Sequence, residues 1–298
     1  MAFSRRTLVA GAAGSPIAAL LAACGANQQT AAPSSISSPA SGAATAFPAT
    51  SHMAKIMQRG KLIAGVKQDQ PLFGMLNPRT NAIEGFDVDV VKEITKALFN
   101  TKDDPFPSKL ELRGVTSAQR IPLLQEAAVD IIAATMTVTD ERKQQIDFSD
   151  TYYMAGQSLL VKKESTITKI QDLDKADKTV CSATGSTSEQ NITKFAPAAQ
   201  KLLFAGYAEC LTAIQQGRAD ALSTDDIILA GYLDTDPTLK MVGGQFTQEP
   251  YGLGIAKAST GFQEFVNNEL RKMKTDGRWK AIYTKWLGMT GPTPEPPK

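Results

Sequence analysis

Two stretches of this chain repeat one another at an offset of 90 residues, and they constrain the fold more than any other feature. Leu124, Gln125, Glu126, Ala127, Ala128, Val129, Asp130, Ile131 is echoed by Ile214, Gln215, Gln216, Gly217, Arg218, Ala219, Asp220, Ala221. In each copy a helical pattern ends, a strand begins at the aspartate, and a polar residue follows five positions later, Thr135 in the first and Asp225 in the second. The pattern implies two α/β lobes, for which 298 residues is ample. Each lobe offers the carboxyl edge of a strand, the place where open α/β sheets bind small ligands, and two such edges facing each other make a cleft.

The first copy runs into a polar junction, Thr135, Met136, Thr137, Val138, Thr139, Asp140, Glu141, Arg142. Thr135 and Thr137 supply hydroxyls, and Arg142 supplies a planar fork of donors that fits a carboxylate. Taken alone, the stretch also fits a surface arginine beside a capping threonine. Upstream, residues 110–115 read as a strand ending in Thr116, Ser117, Ala118, Gln119, Arg120, and Pro122 marks the first turn of the next helix. In the second half, Thr184, Gly185, Ser186, Thr187, Ser188, Glu189 opens a helix with Ser186 and Glu189 at capping-box spacing, leaving N–H groups that suit an anion.

The amino terminus is a targeting segment. Arg5 and Arg6 precede a short apolar stretch interrupted by Pro16 and ending at Leu21, Ala22, Ala23, Cys24. This resembles a bacterial lipobox, with cleavage before Cys24 and lipid on its thiol, while Ser4, Arg5, Arg6 faintly resemble a twin-arginine export signal. Residues 25–52 are too poor in apolar anchors to fold and read as a tether. Export places Cys181 and Cys210 in an oxidising compartment, where a disulfide between them is expected. Closing a loop of about 30 residues would stabilise the fold by roughly 3–4 kcal/mol on the chain-entropy model. A formal net charge of +2 gives no field of the kind nucleic acid requires, so no nucleic-acid partner is expected.

The remaining pattern is α/β. Residues 61–66 read as a strand entering the loop Lys67, Gln68, Asp69, Gln70, Pro71; residues 87–99 as an amphipathic helix; and residues 262–287 as one C-terminal helix carrying Trp279 and Trp286 as packing residues.

From residue 53 to about 290 the chain resembles the amino-acid-binding solute receptors of ABC importers, extracellular solute-binding proteins of family 3, in their acidic-amino-acid branch. The runs that carry this are residues 84–89 (EGFDVD), 116–125 (TSAQRIPLLQ), 129–142 (VDIIAATMTVTDER), 146–156 (IDFSDTYYMAG), 184–189 (TGSTSE) and 219–226 (ADALSTDD). The resemblance implies a type II periplasmic-binding-protein fold, two α/β lobes hinged over a cleft. It implies a signal peptide over 1–24, a tether over 25–52, lobe one from 53–158 and 252–290, lobe two from 159–251, and a Pro-rich tail over 291–298. The crossing strands are expected near residues 158–162 and 250–255.

By the same resemblance Arg142 binds the ligand α-carboxylate with help from Thr137 and the Thr187 turn, and Asp225 and Thr135 hold the α-ammonium. Ser117 and Arg120 match side-chain-carboxylate positions, Lys67 a basic position of the acidic branch, and Tyr207 a polar side-chain contact. Glutamate, or else aspartate, is the implied ligand; the implied partners are an ABC permease and its ATPase. The receptor would be a monomer on the outer face of the cytoplasmic membrane, held by lipid, with no cofactor and no metal.

An enzyme on the same scaffold, dehydratase-like, is the rival reading. The sole histidine is His52, assigned to the tether, so no His-based triad is available, although a carboxylate such as Glu84 could serve as acid or base. A ligand-sensing receptor ectodomain is a third reading.

Overall fold

The computed structural model describes residues 47–298. The signal segment, the lipobox Cys24 and most of the expected tether lie outside the described residues. The tether assignment fails at its last residues, because Phe47 already packs edge-on against Phe265 with ring centroids 5.6 Å apart. Ser51 caps the first helix by accepting the N–H of Ala54, and His52 pairs with Asp130 Oδ1 at 3.0 Å. His52 is therefore part of the folded body.

The chain lays down α1 (His52–Arg59), β1 (Leu62–Val66), a small three-stranded flap of β2 (Asp69–Gln70), β3 (Gly74–Asn77) and β4 (Ala82–Glu84), then α2 (Phe86–Phe99), β5 (Leu110–Gly114), α3 (Arg120–Gln125), β6 (Ile131–Ala133), α4 (Asp140–Lys143) and β7 (Asp147–Phe148). It crosses through β8 (Tyr153–Ala155) into β9 (Gln157–Lys162), β10 (Thr179–Ala183), α5 (Thr187–Phe195), β11 (Gln200–Phe204), α6 (Ala208–Gln215), β12 (Ala221–Asp225), α7 (Asp226–Thr235) and β13 (Leu239–Val242). The return is β14 (Glu249–Tyr251), followed by β15 (Gly254–Ile255), α8 (Phe262–Asp276) and α9 (Arg278–Leu287).

Two sheets share one plan. The first runs β5-β1-β6-β15-β7 and the second β11-β10-β12-β9-β13; in each, three parallel strands are followed by two joined antiparallel. The period-2 alternation of side chains feeds a core on both faces of each sheet. In the second sheet Leu159, Val161, Val180 and Ala221 face one cluster with Ile170, Leu173 and Ile192, while Leu160, Cys181 and Leu222 face the other with Ile214 and Ile228. Cys181 and Cys210 are joined, which ties β10 to α6.

The sequence echo is a structural repeat, bond for bond. Each helix ends in a left-handed residue, Ala127 (φ 54°) or Gly217 (φ 72°). Asp130 N–H donates to Ile63 O and the Asp130 carboxylate accepts Ile63 N–H, both at 2.8 Å; Asp220 does the same with Thr179 at the same distances. Each aspartate therefore sets the register between its own strand and the next.

Two expectations are corrected. Residues 158–162 are not a crossing: β9 lies inside the second sheet between β12 and β13, and the hinge pair is β8 with β14, in register Glu249↔Ala155 and Tyr251↔Tyr153. The second lobe's sheet thus begins at Gln157, not residue 159. The C-terminal helix is two helices broken at Gly277, whose φ of 88° lies in the left-handed region that favours glycine. The break lets Trp279 turn inward, where its Nε1–H donates to Tyr152 O at 2.8 Å.

Candidate functional site

The carboxyl edges of the two sheets meet, and the polar residues singled out in the sequence converge there. Lys67, Ser117, Arg120, Thr135, Thr137, Arg142, Thr187, Tyr207 and Asp225 are each at most 9% exposed. Polar and charged groups are seldom buried to this degree without an electrostatic role, since desolvating an unpaired charge is costly.

The first lobe contributes the cations. Lys67, at the end of β1, donates to Ser117 Oγ at 3.3 Å and lies 3.9 Å from Asp69 Oδ1. Burial pushes its ammonium down to about 8, with Asp69 opposing the shift. Arg120 opens α3 and spends its donors on main-chain carbonyls: Nε on Ser117 O, Nη1 on Ala134 O and Thr135 O, Nη2 on Gly185 O. Burial first, then the neighbouring Arg142, push its guanidinium down to about 9, which leaves it charged at neutral pH. Arg142, in α4, donates to Thr137 O at 2.8 Å and across the cleft to Gly185 O at 3.3 Å.

Thr135 sits between these cations with a φ of 44°, a strained conformation for a β-branched residue. Asp87, at the start of α2, holds it there by accepting Thr135 N–H at 2.9 Å while also accepting Tyr152 O–H at 2.6 Å. Burial raises the Asp87 carboxyl to about 7. The Thr135 hydroxyl donates to Gln70 Oε1, and Gln70 Nε2 is buried without a partner.

The second lobe contributes hydroxyls, a helix start and one acid. Ser186 caps α5 by accepting Glu189 N–H at 3.0 Å, and Glu189 reaches back to Gly185 N–H rather than to Ser186 N–H, so the capping box closes one residue early. Gly185 has a φ of 77°, and a Cβ there would come within 2.8 Å of Ala118 Cα in the opposite lobe. Tyr207 meets the first lobe through its backbone: its N–H donates to Asp69 Oδ2 at 2.9 Å, and its ring lies 5.9 Å beneath Lys67 Nζ. Asp225, at the end of β12, accepts Tyr251 O–H through Oδ2, while its Oδ1 is buried without a partner. Burial, then Glu249, raise its carboxyl to about 8. A buried carboxyl oxygen lacking a donor can take one from a ligand.

Sequence reading passed over Asp87, Gln70, Glu249 and Tyr251. Glu249 and Tyr251 stand two apart on one face of β14, and that spacing was the available signal: two polar-tipped residues alternating with Pro250 in a strand that crosses between lobes.

Two α/β lobes joined by a crossing strand pair and meeting over buried, oppositely charged groups define a two-lobed solute-binding receptor. Residues 62–289 match the bacterial extracellular solute-binding proteins, family 3, and the chain belongs to that family. It is 46% identical over 235 residues to the ABC transporter glutamine-binding protein GlnH of Bacillus subtilis (strain 168), covering 79% of this chain and 84% of that one. It is 34% identical over 239 residues to the glutamate-binding protein GluB of Corynebacterium efficiens, covering 78% and 80%. Among solved structures it is similar to an ancestral arginine-binding protein bound to glutamine, with a TM-score of 0.71 and 36% identity over 77% of this chain and 99% of the other.

Proposed function

We propose that this protein is the solute receptor of an ABC amino-acid importer, a binder and not an enzyme, and that its ligand is glutamate. One observation carries the reading: the buried Arg120 and Arg142 of the first lobe lie close enough to Asp225 of the second to act on its charge, and Asp225 Oδ1 is buried without a partner. A zwitterion with a second carboxylate supplies what this arrangement lacks. Arg142 and the N–H groups opening α5 would take the α-carboxylate, Asp225 Oδ1 the ammonium, and Lys67 with Ser117 the side-chain carboxylate. The permease and ATPase would then receive the ligand from the closed form.

Glutamine is the second reading, and a specific observation favours it. The Arg120 guanidinium makes four hydrogen bonds to carbonyls, so its remaining capacity for a ligand carboxylate is small, and a relative named for glutamine is 46% identical. Aspartate, one methylene shorter, carries the same groups. Titration calorimetry with glutamate, glutamine, aspartate, asparagine, arginine and histidine tests the proposal. Glutamate is expected to bind tightest and glutamine next; binding of basic amino acids alone, or of none of the panel, refutes it.

A further inference from the structure

The hinge return strand carries a second acid whose contacts are unlike those of Asp225. Glu249 is 3% exposed, and its Oε2 accepts the hydroxyl of Thr137 from the first lobe at 2.7 Å and that of Thr187 from the second at 3.0 Å. Its Oε1 accepts Thr247 Oγ1–H at 2.7 Å and Asn191 Nδ2–H at 3.1 Å. All four partners are satisfied donors. The strand itself is held at the junction, because Val138 N–H donates to Pro250 O at 2.8 Å.

Two consequences follow from the chemistry. A carboxylate has no proton to give, so both threonine hydroxyls must donate to Glu249, and toward anything else they can only accept. They are then unable to donate to a ligand carboxylate, so the help expected there cannot come from the Thr137 hydroxyl, while the N–H groups of the Thr187 turn stay available. The second consequence is mechanical. One carboxylate oxygen bridges hydroxyls of opposite lobes, and this bridge exists only when the lobes are together.

We infer that Glu249 is a positioning residue that braces the closed form from within the hinge and fixes the hydroxyls of Thr137 and Thr187 as acceptors toward the backbone end of a bound amino acid. This rests on the amino-acid reading only for its second half. The brace is a property of the chain's own groups, and the ligand need not be known to test it.

The variant is Glu249→Gln, which keeps the shape of the side chain but places an N–H₂ donor where one pair of donors now converges. The first measurement is the distance between spin labels, one on each lobe, in the ligand-free protein by pulsed electron resonance. The expected result is a shift of the distribution toward the open form. The second is binding of glutamate and glutamine, where the affinity for each should fall by the same factor of about ten or more, mainly through faster dissociation. The loss is shared because the threonines serve the end of the ligand common to both. Thr187→Val, which removes one side of the bridge, should open the ligand-free protein in the same sense and should cost little further when combined with Glu249→Gln. Unchanged distances in both variants overturn the brace, as does full additivity of the pair. Unequal losses for glutamate and glutamine overturn the acceptor role. Failure of the wild-type protein to bind any amino acid would refute the proposed function and would show up in calorimetry, while the ligand-free distances judge the brace separately.

Discussion

The two lobes are built alike and charged differently. Both sheets follow the same order, both contain the helix-end, aspartate and strand unit, and Asp130 and Asp220 make the same pair of bonds to a neighbouring strand. Yet at the edge where the lobes meet, the first presents Lys67, Arg120 and Arg142, and the second presents Asp225 with the start of α5. The shared scaffold sets where the meeting edge lies, and the residues around it differ: five past the aspartate stands Thr135 in one lobe and Asp225 in the other. Dividing the charges between jaws has a further effect. On the proposed reading neither lobe alone would satisfy a zwitterion, so the differential affinity favouring closure would arise only when both touch it.

The largest test of this division is Arg142→Ala. Removing the donor fork from the first lobe should weaken every amino-acid ligand together, by about 2–5 kcal/mol, because a carboxylate is left buried without its partner. Calorimetry with glutamate and glutamine would detect it, and a loss confined to one of them would break the comparison.

Asp225→Asn attacks the other jaw and should lower affinity by roughly a hundredfold, with an opposite effect on the ligand-free protein. The Asp225 carboxyl is raised to about 8, so between the ordinary carboxylate range and pH 8 the folded chain holds a proton there that the unfolded chain releases. This group therefore makes the fold less stable as pH rises through that window. Asparagine carries no such penalty, and the melting temperature at pH 8 should rise by several degrees. Wild-type affinity should also decline as pH falls below about 8, since the ammonium needs the ionised form.

Lys67→Met is the selectivity test. It replaces a buried ammonium with an apolar chain of similar reach, so the ligand-free protein should keep its melting temperature or gain slightly. The ratio of glutamate to glutamine affinity should drop by about tenfold; an unchanged ratio removes Lys67 from side-chain recognition. Arg120 is less suited to this purpose, since Arg120→Ala would orphan the carbonyls of Ser117, Ala134, Thr135 and Gly185 and destabilise the first lobe.

The smallest effect sharpens the likeness of the lobes. Asp130→Asn and Asp220→Asn disturb equivalent bonds, but the Asp130 side chain is 4% exposed and also pairs with Arg59 and His52, whereas that of Asp220 is 30% exposed and pairs with Lys178. Denaturant unfolding should show the first costing more by about 1 kcal/mol.

The repeat was legible because its signature is local: a helix end, a turn and an aspartate fall within eight residues, although the aspartate's own bonds reach Ile63 and Thr179, 67 and 41 residues away. Arg142, Thr137 and Asp225 were legible for the same reason, each standing at a strand-to-turn junction. What escaped depends on contacts between distant residues. Asp87 reads as an ordinary first-turn acid of an amphipathic helix, and its work is to hold Thr135, 48 residues away. Glu249 falls one residue before the expected crossing at 250–255, and its partners come from two lobes. His52 was assigned to the tether because composition describes a stretch and not the single side chain at its end that finds a partner.

Gly185 bears on how far the jaws travel. Where it stands against Ala118 the two main chains leave no room for even one more carbon, so closure ends on an abrupt atomic stop and not on a gradual balance of weak forces. Repulsion at such a stop climbs within fractions of an ångström, which gives the shut receptor one reproducible outline at this contact. Any surface that must recognise the shut form is then presented with a fixed template there, a recognition by rigidity as much as by shape.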